Sequence, residues 1–184
     1  FSAVTIGRAD STGSIAVNSV TFADPVTIQT GVGAIAIAQP ITGIDNASIT
    51  LDAATTTLNA NITTAGQNIT IGRNTILGAD VILSTGFAGD IIFNGSVNGS
   101  RQLSLNAGTG SIRFNAGVGL LAPLSSLNIT SAQNIFLARG IATTSNLTLN
   151  TPVTLTENAT LRTGSIIFNS TINSEAGETN NLTI

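Results

Sequence analysis

The sequence predicts an all-β fold: a parallel β-helix, or β-solenoid, of about nine stacked turns. Three observations point to it. The 184 residues are 42% hydrophobic and only 8% charged, and Val, Ile and Thr, which favour strands, occur throughout. Apolar residues recur in pairs separated by one residue. Whole strand patterns return after about 20 residues, a length typical of solenoid turns.

The apolar pairs predict strands with one buried face, because side chains two residues apart point to the same side of a strand. They occur along most of the chain. The pairs are Val26 and Ile28, Ile35 and Ile37, Ile49 and Leu51, Ile69 and Ile71, Val81 and Leu83, Leu103 and Leu105, Leu127 and Ile129, and Leu147 and Leu149.

A second motif, Gly-x-Ile-x-Phe, predicts an aromatic stack inside the solenoid. Successive copies contain Ile91, Ile112 and Ile135, each about one solenoid turn after the last, and the third is a variant with Leu in place of Phe. A further copy ends at Phe168. We therefore expect a core stack of equivalent side chains from successive turns. Its members are Phe93, Phe114, Leu137 and Phe168.

A longer period is superimposed on the turns. One common offset aligns Val4 with Val81 and Val26 with Leu103. This predicts one solenoid, residues 1–184, built from repeats at 4–80, 81–158 and a partial 159–184. Each full repeat would contain four turns. Because neither end of the sequence resembles a polar cap, we expect the segment to belong to a longer chain.

Stacking follows from the size of the turns, since a turn of about 20 residues cannot bury its own apolar face. Parallel strands ~4.8 Å apart would give a rod of ~45 Å for nine turns. An antiparallel sandwich is the alternative, but it does not explain why whole strand patterns recur at this spacing with few hairpin turns between them.

Asn residues follow the strands at what should be corners, and are predicted to form a ladder. Asn tolerates a left-handed backbone, and stacked amides can hydrogen-bond along the axis. The ladder members are Asn18, Asn94, Asn115 and Asn169.

Apolar residues also occupy some positions predicted to face outward, between two buried residues of a strand. One interpretation is ordinary exposed surface. The other is a lateral contact with a neighbouring chain, in which Arg113 would meet an acidic or amide partner. The residues of this stripe are Ile92, Arg113, Phe136 and Ile167.

The composition restricts the chemistry. The chain has no Cys or His, and all six basic residues are Arg, so thiolate, imidazole and Schiff-base chemistry are excluded. We predict no cofactor and no metal, because isolated aspartates lack the number of ligands that Ca²⁺ requires. Nucleic-acid binding is not expected either, because six Arg against nine acidic residues form no basic stripe. No apolar stretch is long enough for a membrane-spanning helix, so membrane insertion is not expected.

Two other functions have to be weighed. A polysaccharide-active enzyme would need clustered carboxylates, whereas the aspartates have no paired spacing and are typical of turns. These are Asp10, Asp24, Asp45, Asp52, Asp80 and Asp90. An ice-binding or other flat-surface-binding solenoid would use rows of outward Thr, although Thr is also a common strand residue. The outward candidates are Thr5, Thr27, Thr50, Thr70, Thr148 and Thr183.

The apolar pairs, the Gly-x-Ile-x-Phe blocks and stretches such as QLSLNAGTGSIRFNAGVG resemble the repeats of filamentous-haemagglutinin-like exoproteins, in particular the Thr- and Asn-rich cyanobacterial type. The resemblance covers essentially the whole chain. It implies a right-handed β-helix, secretion to the bacterial cell surface, and a role as an adhesin or surface fibre. Apart from the resemblance, the uncapped ends predict end-to-end association into fibres, and the outward apolar stripe offers a lateral contact as the alternative to ordinary surface. The adhesin role would require a surface or glycan ligand. The resemblance supplies no catalytic residue.

Overall fold

A computed structural model describes all residues from Phe1 to Ile184 and shows a β-solenoid of nine turns. It contains 25 short strands, and every strand pairing is parallel. The chain forms no helix of the length and hydrophobicity needed to cross a bilayer. The fold class predicted from the apolar pairs is confirmed.

Each turn places strands on up to three faces, which we call faces 1, 2 and 3. Face 1 is one nine-stranded sheet. Its strands are β1 (Val4–Arg8), β4 (Val26–Thr30), β7 (Ile49–Asp52), β10 (Ile69–Ile71), β13 (Ile91–Phe93), β16 (Ile112–Phe114), β18 (Ile135–Leu137), β21 (Val153–Leu155) and β24 (Ile172–Ser174).

Face 2 begins as a five-stranded sheet and continues through single bridges from Val97 to Val118 and from Val118 to Ile141. Its strands are β2 (Ile15–Val17), β5 (Ala34–Ile37), β8 (Thr55–Leu58), β11 (Asn74–Leu77), β14 (Val97–Asn98), β19 (Gly140–Ala142), β22 (Ala159–Arg162) and β25 (Leu182–Thr183).

Face 3 is a six-stranded sheet followed by a separate pair. Its strands are β3 (Val20–Phe22), β6 (Ile41–Gly43), β9 (Ile62–Thr63), β12 (Val81–Ser84), β15 (Gln102–Asn106), β17 (Ser126–Ser131), β20 (Leu147–Leu149) and β23 (Ile166–Phe168).

The core runs continuously along the axis, because equivalent apolar residues of successive turns lie beside one another. Ile69, for example, is aligned with Ile49 in the previous turn and with Ile91 in the next. The inward positions form one cluster of 37 buried residues. No turn has an independent core, as expected for a repeat protein whose stability comes from neighbouring units.

The aromatic stack contains Phe93 and Phe114 but not Phe168. The rings of Phe93 and Phe114 lie 5.5 Å apart at an interplanar angle of 11°, and both are buried. Leu137 is aligned with Phe114 in the next turn of the same face. Phe168 is instead half-buried on face 3, where it is aligned with Leu149. Placing it in this stack was wrong, because the same motif recurs on a different face.

The long sequence offset does not correspond to four whole turns. The turns differ in length, since the step from Val26 to Ile49 on face 1 is longer than the step from Ile135 to Val153 on the same face. Four turns on face 1 also run from Val4 to Ile91, beyond the end of the offset, so the offset that starts at Val4 on face 1 ends at Val81 on face 3. Residues 4–80 and 81–158 therefore share a pattern of apolar residues, but the strands that match in sequence lie on different faces.

The predicted Asn ladder is replaced by two separate pairs. The Asn115 amide donates to Asn94 Oδ1 at 2.8 Å, and the Asn169 amide donates to Asn150 Oδ1 at 2.7 Å. Asn18 belongs to neither pair. The left-handed explanation was also wrong, because the only residue other than Gly with a positive φ is Asp45.

Two threonines occupy inward positions on face 2. Thr56 and Thr75 are aligned with each other and fully buried, and neither Oγ1 has a hydrogen-bond partner. Thr85 is equally buried, but its Oγ1 donates to the Gly89 carbonyl at 2.9 Å. A buried hydroxyl without a partner costs free energy, whereas a bonded one does not.

We expect Phe114→Ala to lower the free energy of unfolding by about 3–5 kcal/mol, because it opens a cavity beside Phe93. Phe114→Leu should cost much less, since Leu137 fills the equivalent position one turn away. Denaturant titration measures both values. Equally small effects would mean that Phe114 does not lie in the core.

We expect Thr56→Val and Thr75→Val each to raise the free energy of unfolding by about 1 kcal/mol, because each removes an unbonded buried hydroxyl. Thr85→Val is the matched control and should lower it, since a hydrogen bond is lost. The same denaturant titration applies. Destabilisation by Thr56→Val as large as that by Thr85→Val would show that the hydroxyl is bonded.

Candidate functional site

The outward stripe predicted for lateral contact is partly assembled on face 1. Ile92, Arg113 and Phe136 are aligned in successive turns. The Arg113 guanidinium carbon lies 3.8 Å from the centre of the Phe136 ring, and Arg113 Nε is 3.8 Å from Asp90 Oδ2. Arg113 therefore meets its aromatic and acidic partners within its own chain.

Ile167 is not part of this stripe. It lies on face 3, aligned with Thr148, and its side chain is 48% exposed. Grouping Ile167 with Ile92 was wrong. As with Phe168, the reason is that the Gly-x-Ile-x-Phe motif occurs on more than one face and does not determine the face on which a strand lies. The remaining stripe, Ile92, Arg113 and Phe136, is half-buried.

The outward threonines form a column on face 1. Thr5, Thr27, Thr50 and Thr70 are aligned in four successive turns. The column is one residue wide, because the next outward residues along these strands include Gln29 and Asp52. Thr148 lies on face 3 and Thr183 on face 2. The hydroxyls thus follow one line along the axis and do not form a broad array.

Side-chain carboxylate and amide oxygens link successive turns by accepting backbone hydrogen bonds. This role was not predicted from the sequence. Asp80 Oδ1 accepts a hydrogen bond from the Gln102 N–H, and Asp90 Oδ1 accepts one from the Ser111 N–H, both at 2.8 Å. In each case the backbone donor belongs to the following turn. The asparagines that act in the same way are Asn61, Asn68, Asn74, Asn98 and Asn158.

The other aspartates lie at different corners. Asp52 Oδ1 is 3.1 Å from Arg73 Nε, Asp24 contacts the amino terminus, and Asp45 has a φ of 53°. The hydrogen bond from exposed Arg8 holds the pKa of the Asp10 carboxyl below its ordinary value. The structure does not bring the six aspartates together into one cluster.

The largest concave surface is a polar groove of about 670 Å³ along the corner between faces 1 and 2, in the last turns. It is formed by residues that follow β18, β21 and β24, together with β22. Nine of its ten lining residues are polar or charged. They are Arg139, Thr156, Glu157, Asn158, Thr160, Arg162, Glu175, Glu178 and Asn180, with Leu120 as the apolar member.

Backbone and amide hydrogen bonds fix one wall of the groove. The Asn180 side-chain amide donates to the Leu155 carbonyl at 3.0 Å, and the Asn180 N–H donates to Ser174 Oγ at 2.7 Å. The Asn181 N–H donates to Asn158 Oδ1 at 2.7 Å. These contacts tie the loop between β24 and β25 to the preceding turn.

The groove places hydrogen-bond donors and acceptors side by side. Arg139 Nε lies 3.8 Å from Glu157 Oε2, and both side chains are more than half exposed. Arg162, Glu175 and Glu178 add one cation and two carboxylates. No group of three or more acidic, His or Cys side chains is arranged to hold a metal ion. Such a surface is suited to a hydroxyl-rich or otherwise polar ligand.

Sequence reasoning missed this groove because its residues come from several turns. One signal was present: Arg139 and Glu157 are separated by the same number of residues as Ile135 and Val153, which are aligned in adjacent turns. Charged residues one turn apart lie beside each other on the same corner.

The chain is a β-solenoid repeat protein. No protein-family model matches it, and no curated protein or solved structure has significant similarity to it.

Proposed function

We propose that this chain is a structural and adhesive segment of an extracellular bacterial surface fibre, of the filamentous-haemagglutinin-like type, without catalytic activity. The observation that carries the proposal is the continuous stack of nine turns on one core. Stacked turns form a rod that lengthens with each added repeat. A rod of this kind suits a fibre or an adhesin stalk at the cell surface.

The first turn has features that suit the addition of a further turn. The first turn leaves an apolar depression of about 280 Å³ between its three strands. The outer edges of β1, β2 and β3 also have no neighbouring strand. Unpaired strand edges around an apolar opening can pair with a further parallel turn, whether that turn belongs to the same chain or to a second copy. The apolar lining consists of Ile6, Ile15, Ala16, Val17, Val20, Phe22 and Ile28.

The groove supports the adhesive part of the proposal. Its mixture of guanidinium, carboxylate, amide and hydroxyl groups can bind the vicinal hydroxyls of a surface glycan through paired donors and acceptors. It lies at a corner of the last turns, so its ligand would bind away from the apolar opening of the first turn.

End-to-end association predicts that the chain forms oligomers whose size grows with concentration. Ile6→Lys should shift them towards monomer, because it introduces a charge at the apolar opening. Ile82→Lys is the matched control, since Ile82 is also partly exposed but lies on face 3 away from either end. Light scattering after size-exclusion chromatography measures the mass. A monomer at all concentrations, or equal effects of both variants, would contradict end-to-end stacking.

Adhesion through the groove predicts that the chain binds at least one polysaccharide in an immobilised panel of neutral, amino and acidic types. Arg139→Ala combined with Arg162→Ala should weaken that binding by about tenfold or more, because charged hydrogen bonds are lost. Arg101→Ala, an exposed Arg outside the groove, should leave it unchanged. Undiminished binding by the double variant would exclude the groove. Absence of binding to every polysaccharide would contradict the glycan ligand but leave the stacking prediction unaffected.

A further inference from the structure

Two Asn-Gly pairs lie close together in the chain, and their surroundings differ. They are Asn94–Gly95 and Asn98–Gly99. In such a pair the backbone nitrogen of Gly can attack the side-chain carbonyl carbon of Asn, since no Cβ obstructs the approach. The reaction requires a free Gly N–H and an Asn side chain that can reorient. The fold meets both conditions at Asn94–Gly95 and neither at Asn98–Gly99.

Asn94 is open to this reaction. It follows β13 at the corner between faces 1 and 2, where its side chain is exposed. The Gly95 N–H donates no hydrogen bond. The Asn94 side chain makes one hydrogen bond, which its Oδ1 accepts from the Asn115 amide at 2.8 Å. That donor also polarises the carbonyl and stabilises the negative charge that develops on Oδ1 during attack.

Asn98 is protected. Its Oδ1 accepts hydrogen bonds from the N–H groups of Leu121 and Ala122, at 3.1 and 3.2 Å, and its amide donates to Ser96 Oγ at 3.1 Å. The Gly99 N–H donates to the Ala122 carbonyl at 3.2 Å. Attack at this site requires the Gly99 N–H to leave the Ala122 carbonyl. The two donors to Asn98 Oδ1 are backbone groups that cannot follow the side chain as it rotates, so they hold it in place, whereas the Asn115 side-chain amide can move with Asn94.

We propose that Asn94 is a site of spontaneous covalent modification in the folded protein. Gly95 N forms a bond to Asn94 Cγ and loses its proton, and the side-chain nitrogen leaves as ammonia. The resulting five-membered succinimide is opened by water to aspartate or isoaspartate. No oxidant, reductant or enzyme takes part.

The products change the corner in two ways. Both add a negative charge one turn from Arg73, whose backbone lies against Gly95. Isoaspartate also adds a carbon to the main chain between β13 and Val97. A Cβ placed at Gly95 would overlap the Arg73 carbonyl carbon, so this corner has no spare room for a longer backbone. Modification therefore loosens one junction in the middle of the rod.

The experiment compares the two sites within one chain. The purified protein is incubated at neutral pH, in buffer and in urea, and fragment mass spectra of the peptide between Arg73 and Arg101 follow both Asn residues over time. In the folded protein we expect Asn94 to react about tenfold or more faster than Asn98, because the bonds holding Asn98 add to its barrier. In urea the two rates should converge.

Asn115→Leu provides a matched variant, since it removes the amide that donates to Asn94 and leaves Asn98 untouched. This substitution should lower the rate of succinimide formation at Asn94 and leave the rate at Asn98 unchanged. Equal rates at the two sites in the folded protein would overturn the proposal. So would an Asn94 that stays intact in buffer over a period in which it reacts fully in urea.

Discussion

The whole structure depends on one constraint: no turn of about 20 residues can bury its own apolar face. Each turn contributes only a few inward residues, and these become a core when the next turn covers them. Face 1 shows the result, because all nine of its strands join one parallel sheet. The Phe93 and Phe114 rings, in adjacent turns, stack for the same reason.

Polar residues complete this arrangement at the corners. Side-chain oxygens such as those of Asp80 and Asp90 accept backbone N–H groups of the following turn, so the ends of short strands are bonded where no ladder continues. Two aspartates and five asparagines of this sparsely charged chain act in this way. In the groove of the last turns, by contrast, Arg139, Arg162 and three glutamates remain available to solvent.

Local spacing in the sequence was enough to predict the strands, the parallel stacking and the Phe93–Phe114 contact. It did not predict the face on which a strand lies, because that depends on the number of strands and corner residues that precede it. Phe168 and Ile167 were misplaced for this reason, since their motif follows Ile135 by more than one turn and less than two and so falls on face 3. The groove could not be predicted, because its residues come from several turns and the sequence does not show which corners of those turns lie side by side. The unbonded Thr56 and Thr75 hydroxyls could not be told from outward threonines by pattern alone.

Residue-resolved native-state hydrogen exchange tests most directly whether the turns are stabilised by their neighbours. In a linear stack, backbone protection should rise continuously from both ends to a maximum in the central turns around Phe93 and Phe114, because terminal turns are covered on one side only. Phe114→Ala should lower the protection of the adjacent turns more than that of distant ones. A uniform level of protection that falls everywhere at once in Phe114→Ala would contradict the account and indicate a single globular core.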